Sequence, residues 1–489
     1  MNTDAVYDQL LDAGKRPGSR TLLSGATILT MDPSIEDLAR GDLLIEGNKI
    51  ASIGPNLSAA ARDGGALVVD VSGMILIPGL QDTHRHCWQN QLRRLIPDCD
   101  DNSAYLAVTH EWVGFHYRPH DIYVGNLISA LGCIDAGITC CLDFFHNPRT
   151  SAHSDAAIAA FRDVGIRGVH ASCGVLAGDW DHNWPGDLER LQRTHFSTTD
   201  QLQSLRVGVI AADFAGQDIT LNASKVQLAR QMGIPLISDG VVGAHSAAKI
   251  EQLGAAGLLG PDLTFIHCLD LSDRAWRLMA DNGVNVSIPT TSDAQIGIWE
   301  SIPAVQQALD VGIRPSLSVD VEVVLGSDLF TQMRTLLNIQ RMMTFNKRYR
   351  GDRNFPPPIG VRDVLEFATV QGAKVNGVLD KTGTLTPGKR ADIVAINARD
   401  WNTMPLNNAF GTVVSAADSR NVEIVFIDGA LKKWGRELVG YKLEEVRRMV
   451  EESRDRVLRA AEFEHDVLTQ TYGLSGTHDC GMAARGKHS

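Results

Sequence analysis

His84 and His86 stand one residue apart in the stretch Ile77-Pro78-Gly79-Leu80-Gln81-Asp82-Thr83-His84-Arg85-His86, just after the apolar run Met74-Ile75-Leu76-Ile77. Side chains on a strand alternate with a period of two, so both imidazoles face one side and can reach a common point. Imidazoles converging on a point suit Zn, Fe, Ni or Cu. A single His-x-His also describes a strand end carrying two solvated histidines. The remaining polar residues sharpen the choice: His146 just past Asp143, then Asp213, Asp239, His267 and Asp320, each closing an apolar run. Cys87 follows His86 but points to the opposite face, which suits packing and not ligation.

The elements that would carry these residues alternate. Candidate strands are Ile138 to Asp143, Arg167 to Ser172, Arg206 to Ala211, Ile234 to Asp239, Leu263 to Cys268, Val284 to Ile288 and Arg314 to Asp320, with helical stretches between them. With the run before His84 they make eight. Eight β runs with intervening helices over roughly 300 residues predict a (β/α)8 barrel, whose active site lies at the C-terminal strand ends. On either side the texture is β only. Residues 21–77 form short runs with a Gly47-Asn48 turn, and Ala391 to Ile396, Val422 to Ile427 and Leu431 to Trp434 follow late, with an Asp428-Gly429 hairpin signal. We therefore expect an N-terminal tail (1–20), a small β-sandwich domain composed of 21–77 plus 385–440, a barrel over 78–384, and a C-terminal helix and tail over 441–489. Residues after Gly473 read as disordered. The helix from Tyr441 to Leu468 carries an apolar stripe (Val446, Met449, Val450, Val457, Leu458), which predicts a homodimer or higher homo-oligomer.

Composition excludes several classes. The 489 residues are 44% hydrophobic and 21% charged, an ordinary globular balance. A formal net charge of −12 argues against nucleic acid and anionic membrane partners. The N-terminus lacks a signal-peptide core, and the apolar stretch Leu127 to Phe145 contains Asp135 and Asp143, so no membrane span is expected. Eight unpaired-looking cysteines, two of them adjacent at Cys140-Cys141, suit reduced thiols and a cytoplasmic location.

Over nearly its whole length the chain resembles the amidohydrolase superfamily, in its cytosine deaminase-like and chlorohydrolase-like branch. The markers are Pro78 to His86, Ala136-Gly137-Ile138-Thr139, Phe265-Ile266-His267-Cys268, Ser316 to Asp320, Ala368 to Ala373 and Gly383 to Ile393, in that order. The resemblance implies that His84 and His86 are first-strand metal ligands. It implies that Asp320 ligates the metal or accepts a proton from its water, and that His267 ligates or orients substrate. Such a site leaves a coordination position open for water. The expected cofactor is one divalent metal ion, with Zn leading and Fe or Mn as alternatives.

Two departures from the family pattern stand out. The fifth strand should end in a histidine, often with a glutamate three residues on. Here Ile234 to Gly240 places Asp239 in that slot, and His245 is the other candidate. The fourth run ends Ile210-Ala211-Ala212-Asp213 without the lysine whose carbamate bridges two metals in binuclear relatives, which favours one metal. Trp88, Gln89 and His146 are candidate substrate contacts, and Trp180 and His182 form a loop to hold a flat substrate. Asp392 is expected to be structural. The implied function is hydrolysis of a non-peptide C–N bond in a small cyclic or aromatic molecule by deamination, urea or carbamate hydrolysis, or amide cleavage. A metal-dependent lyase and a non-catalytic binding or scaffold relative are the alternatives.

Overall fold

The computed structural model describes residues 3–13, 18–99, 102–214, 217–299 and 302–468. Eight parallel strands form the central sheet, each beside its sequence neighbour. They are β1 (Leu80–Arg85), β2 (Ile138–Phe145), β3 (Arg167–Ser172), β4 (Gln203–Ile210), β5 (Leu236–Val242), β6 (Leu263–Leu269), β7 (Asn285–Ile288) and β8 (Ser316–Leu317). All residues of β1, β2 and β3 are buried, as expected where helices cover the outside and side chains fill the inside. Backbone contacts between β1 and the chain just after β8 close the ring, pairing Arg85 with Asp320. The protein is thus a (β/α)8 barrel with a small β domain beside it.

That domain is a mixed sheet built from both ends of the barrel. Met74–Pro78 pairs antiparallel with Ile393–Asn397, joining the N-terminal strands to the late ones. The Asp428-Gly429 turn has φ of 51° and 77°, the two positive values that a type I′ hairpin needs. Strand Arg20–Ile28 branches, pairing with Leu67–Asp70 at one end and with Met74–Pro78 at the other.

Four expectations need correction. The run leading to His84 is two strands: Met74–Pro78 belongs to the mixed sheet, and β1 starts after Gly79. A side chain at Gly79 would meet the Thr139 hydroxyl at 2.0 Å, so only glycine lets the chain pass between the sheets. The eighth strand is shorter than the run Arg314 to Asp320, with just Ser316 and Leu317 in the ladder. The N-terminal tail contains a helix, Thr3–Ala13, whose Val6 and Leu10 are buried against the mixed sheet.

The fourth correction concerns the C-terminal helix, which spans Leu443–Ala460 and turns its stripe inward. Val446, Val457 and Leu458 are buried, Ser453 Oγ donates to Asp121 at 2.9 Å, and Trp112 Nε1 donates to Ala461 O at 2.7 Å. The apolar face is covered by the chain itself, so the argument for self-association built on it falls away. The expected disorder after Gly473 lies outside the described residues. Among the described residues no helix is long and apolar enough to cross a membrane.

One buried ion pair ties the two units together. Arg167, at the start of β3, makes a bidentate pair with Asp392, both bonds at 2.9 Å, and Asp392 also accepts from the Asp428 backbone at 2.8 Å. Asp392 is structural, as expected. Removing one partner of such a pair strands a buried charge, which costs about 3–5 kcal/mol, whereas replacing both with apolar groups costs far less. Asp392→Ala should therefore lower stability by about that amount in urea unfolding, and Arg167→Met/Asp392→Leu should recover most of it.

Candidate metal centre

Five side chains meet at the C-terminal end of the barrel. His84 and His86 point inward from β1, and their Nε2 atoms lie 3.1 and 3.0 Å from Asp320 Oδ1. Asp239, on β5, lies 3.6 Å from His84 Nε2 and 3.5 Å from His86 Nε2. His267, on β6, reaches Asp239 Oδ1 with Nε2 at 3.2 Å. Ligand atoms of His84, His86 and Asp239 lie within 4.8 Å of one another, as do those of His84, His267 and Asp320. His245 is not part of this set. It is 59% exposed and pairs with the equally exposed Asp213 at 3.1 Å, so Asp239 alone fills the fifth-strand slot.

The outer contacts aim these groups. His86 Nδ1 is held by the Phe144 carbonyl at 3.3 Å, which leaves the Nε2 lone pair facing the centre. His267 Nδ1 bonds Asp293 Oδ1 at 2.7 Å. Ser292 Oγ donates to Asp320 Oδ2, leaving Oδ1 toward the histidines. His267 and Asp320 both adopt the left-handed backbone region, with φ of 71° and 70°. Non-glycine residues held there cluster at functional sites, where surrounding structure sustains the strain.

The donor set fits a divalent cation. His84 is fully buried, yet neither of its ring nitrogens makes a hydrogen bond. A buried imidazole with two orphaned nitrogens is costly unless something else accepts the lone pair. Mixed imidazole and carboxylate donors accommodate Zn, Fe and Mn.

Electrostatics point the same way. Burial pulls the His86 imidazole down, but the Asp320 and Asp239 carboxylates outweigh it and leave its pKa raised. His267 is likewise lowered by burial, then lifted well above the usual value by Asp239 and Asp293. Burial raises the Asp320 carboxyl, and the adjacent His84 and His86 more than reverse that. Burial carries Asp293 up to about 6.

A cavity of about 190 Å³ opens onto this cluster. His86, His146, Asp239, His267 and Asp320 line it. Of the expected substrate contacts only His146 reaches it. Trp88 and Gln89 are fully buried behind the wall, where Trp88 Nε1 donates to His146 Nδ1 at 3.0 Å and Gln89 Nε2 donates to Tyr105 Oη at 2.8 Å. Trp180 and His182 pack on each other at 4.5 Å, with Trp180 bonded to Gln217 away from the cavity. The lining missed in the sequence includes Tyr105, Phe214, Val242 and Trp299, together with Asp293 behind His267. Tyr105 lies in the irregular helical segment after β1, which shows no periodicity to mark it. Asp293 follows β7, and its place past a strand end was the available signal. Val242 occupies the position three residues after Asp239 where the family pattern has glutamate. Ile210 and Ala212 line the cavity after β4, where binuclear relatives would place lysine.

The amidohydrolase family model matches residues 75–432. The chain belongs to the amidohydrolase family, hydrolases of carbon–nitrogen bonds other than peptide bonds. It is similar to the 5'-deoxyadenosine deaminase of Methanosarcina acetivorans, 26% identical over 426 residues that cover 83% of this chain and 91% of that protein. It is also similar to the 5-methylthioadenosine/S-adenosylhomocysteine deaminase of Syntrophobacter fumaroxidans, 25% identical across 87% of this chain and 95% of the relative. Among solved structures, a mutant atrazine chlorohydrolase from Arthrobacter aurescens TC1 with zinc and atraton superposes with a TM-score of 0.77 at 20% identity, covering 89% of this chain and all of that one. An adenosine deaminase from Xanthomonas campestris with bound zinc gives 0.75 at 20% identity, covering 91% and 100%. These two likenesses concern the fold.

Metal ligands must be deprotonated, so loading a cation displaces protons. The neighbouring carboxylates raise the proton affinity of His86 and His267, so protons compete with zinc there: loading should displace protons, and affinity should fall as pH falls. Zinc titration calorimetry in two buffers of different ionisation enthalpy checks this. A heat independent of buffer would contradict it.

Proposed function

We propose that this chain is a mononuclear metal-dependent amidohydrolase that uses water to cleave a C–N bond at a carbon of a small nitrogen heterocycle. The observation carrying this reading is the pair of overlapping triads, His84–His86–Asp239 and His84–His267–Asp320, four of whose five residues line the cavity. His84, His86 and Asp320 would hold the cation together with Asp239 or His267. A bound divalent ion would lower the pKa of a water toward neutrality and polarise the atom under attack. Zinc in the solved relatives supports zinc as the ion.

The chain's own residues then divide the work. Asp320 lies beside both first-strand histidines, with Oδ2 tied by Ser292 and Oδ1 3.1 and 3.0 Å from the Nε2 atoms of His84 and His86; from there its carboxylate would take the proton from the attacking water. His267, oriented by Asp293, is placed to hydrogen-bond the group under attack or return a proton to the departing nitrogen. With Val242 in the usual glutamate position, Asp239 and Asp320 are the carboxylates lining the cavity among the described residues. Asp320 therefore serves as the proton shuttle. The cavity is smaller than the roughly 300–1,000 Å³ of drug-sized pockets, so it encloses one ring and lets a larger substituent extend through the mouth. The deaminase relatives make an aminated purine nucleoside the first substrate class to examine, and the chlorohydrolase fold relative makes aminated triazines the second.

Screening zinc-loaded protein against 5'-deoxyadenosine, 5'-methylthioadenosine and aminated triazines should release ammonia or amine, with one oxygen from labelled water in the product. Product free of solvent oxygen would favour the lyase reading. Asp320→Asn should reduce kcat by about 10²–10⁴-fold, since that is what a positioned acid–base group contributes, while fold and metal content persist. Near-normal kcat in that variant would move the proton shuttle to another group.

A further inference from the structure

His146 enters the cavity from the loop after β2, and its ring is fixed on several sides. It lies parallel to the His86 ring at 4.2 Å with an interplanar angle of 6°, and His110 meets it edge-on at 4.3 Å. Trp88 Nε1 stands 3.0 Å from His146 Nδ1. An indole N–H is a donor only, so the atom facing it must offer a lone pair. Nδ1 therefore carries no proton, and the ring's single proton sits on Nε2. Among the described residues Nε2 has no protein acceptor, while the ring lines the cavity. Tyr105, the neighbouring polar side chain, is engaged elsewhere: its hydroxyl both accepts from and donates to the buried Gln89 amide, at 2.8 and 3.1 Å.

We propose that His146 offers a neutral Nε2–H to the substrate, recognising a lone-pair acceptor (ring nitrogen or carbonyl oxygen) beside the attacked carbon, and that Trp88 is the positioning residue that sets this tautomer. The proposal rests on the hydrolytic reading of the site and adds the chemical feature that a substrate must carry. Attack on a carbon of a heterocycle pushes electron density onto the adjacent acceptor. A fixed donor aimed there stabilises that charge without moving a proton, as a preorganised dipole does. Neutrality matters, because an imidazolium stacked on His86 would repel a cation held by that residue. A ring with no acceptor covers the cavity-facing N–H without pairing it and is rejected.

Two readouts that need no turnover test this on the zinc-loaded full chain. Two-bond proton–nitrogen spectra of histidine-labelled protein should show His146 as the Nε2–H tautomer across neutral pH. Trp88→Phe, which keeps an aromatic ring but removes the N–H, should yield a tautomer mixture. In calorimetry at mildly alkaline pH, 4-aminopyrimidine should bind about five- to tenfold more tightly than aniline, the worth of one ordinary hydrogen bond. That preference should vanish in His146→Leu and persist in His146→Gln, whose amide N–H reaches the Nε2 position. An Nδ1–H tautomer, equal affinity, binding of neither ring, or a preference surviving His146→Leu would overturn the proposal. Failure of every heterocycle to turn over, with both readouts as expected, would instead overturn the hydrolytic reading.

Discussion

Two backbone hydrogen bonds close the barrel, and the site depends on them. Asp320 N donates to His84 O at 2.9 Å, and His86 N donates to Asp320 O at 3.2 Å. The last strand pairs for just two residues, so its contact with β1 is made where His84, His86 and Asp320 stand. Closure and the placement of these three side chains are one event. Between the two histidines, Arg85 points the other way, fully buried, and bonds Asp82 at 2.7 Å, the Glu322 carboxylate, and Ser327 O at 2.9 Å. Asp82 accepts in turn from Val319 N at 3.1 Å. This network clamps the chain on both sides of Asp320 and holds its left-handed backbone against the strain.

Charge explains why such a clamp is needed. Asp239, Asp293 and Asp320 share a buried space with three imidazoles, and buried charges persist only when paired or ligating. Asp239 puts a negative charge in the fifth-strand position, where the family pattern has a neutral histidine. In a metal shell it would make the site harder and strengthen its hold on a dication, while tempering how far a water's pKa falls. Apolar walls from Ile210, Ala212 and Val242 raise the electrostatic weight of each remaining polar group.

The strand pattern and the ends of the runs made most of this architecture legible from the residues alone. Apolar runs closed by His86, Asp239, His267 and Asp320 mark barrel strands because buried parallel strands must be apolar and their C-terminal ends face the site. What escaped was set by tertiary contacts. Gly79 splits one apolar run between two sheets, because a neighbouring Thr139 leaves no room for a side chain. Trp88 and Gln89 follow the ligands in sequence, yet the turn after β1 directs them behind the cavity wall. Trp180 and His182 read as a substrate loop on composition, and partner each other instead. The C-terminal stripe is a true amphipathic face; which surface covers it is not written in its periodicity, and here it is the protein's own helix Pro119–Asp135 that receives it.

The ends of β1, β5, β6 and the chain after β8 form the proposed site of a single catalytic cation. Anomalous diffraction from crystals of the zinc-loaded protein, recorded on both sides of the zinc edge, would locate that ion. One peak per chain is expected, within coordination distance of His84 Nε2, His86 Nε2 and Asp320, with Asp239 or His267 completing the shell. A peak displaced from the first-strand histidines, or two peaks bridged within the cavity, would contradict it.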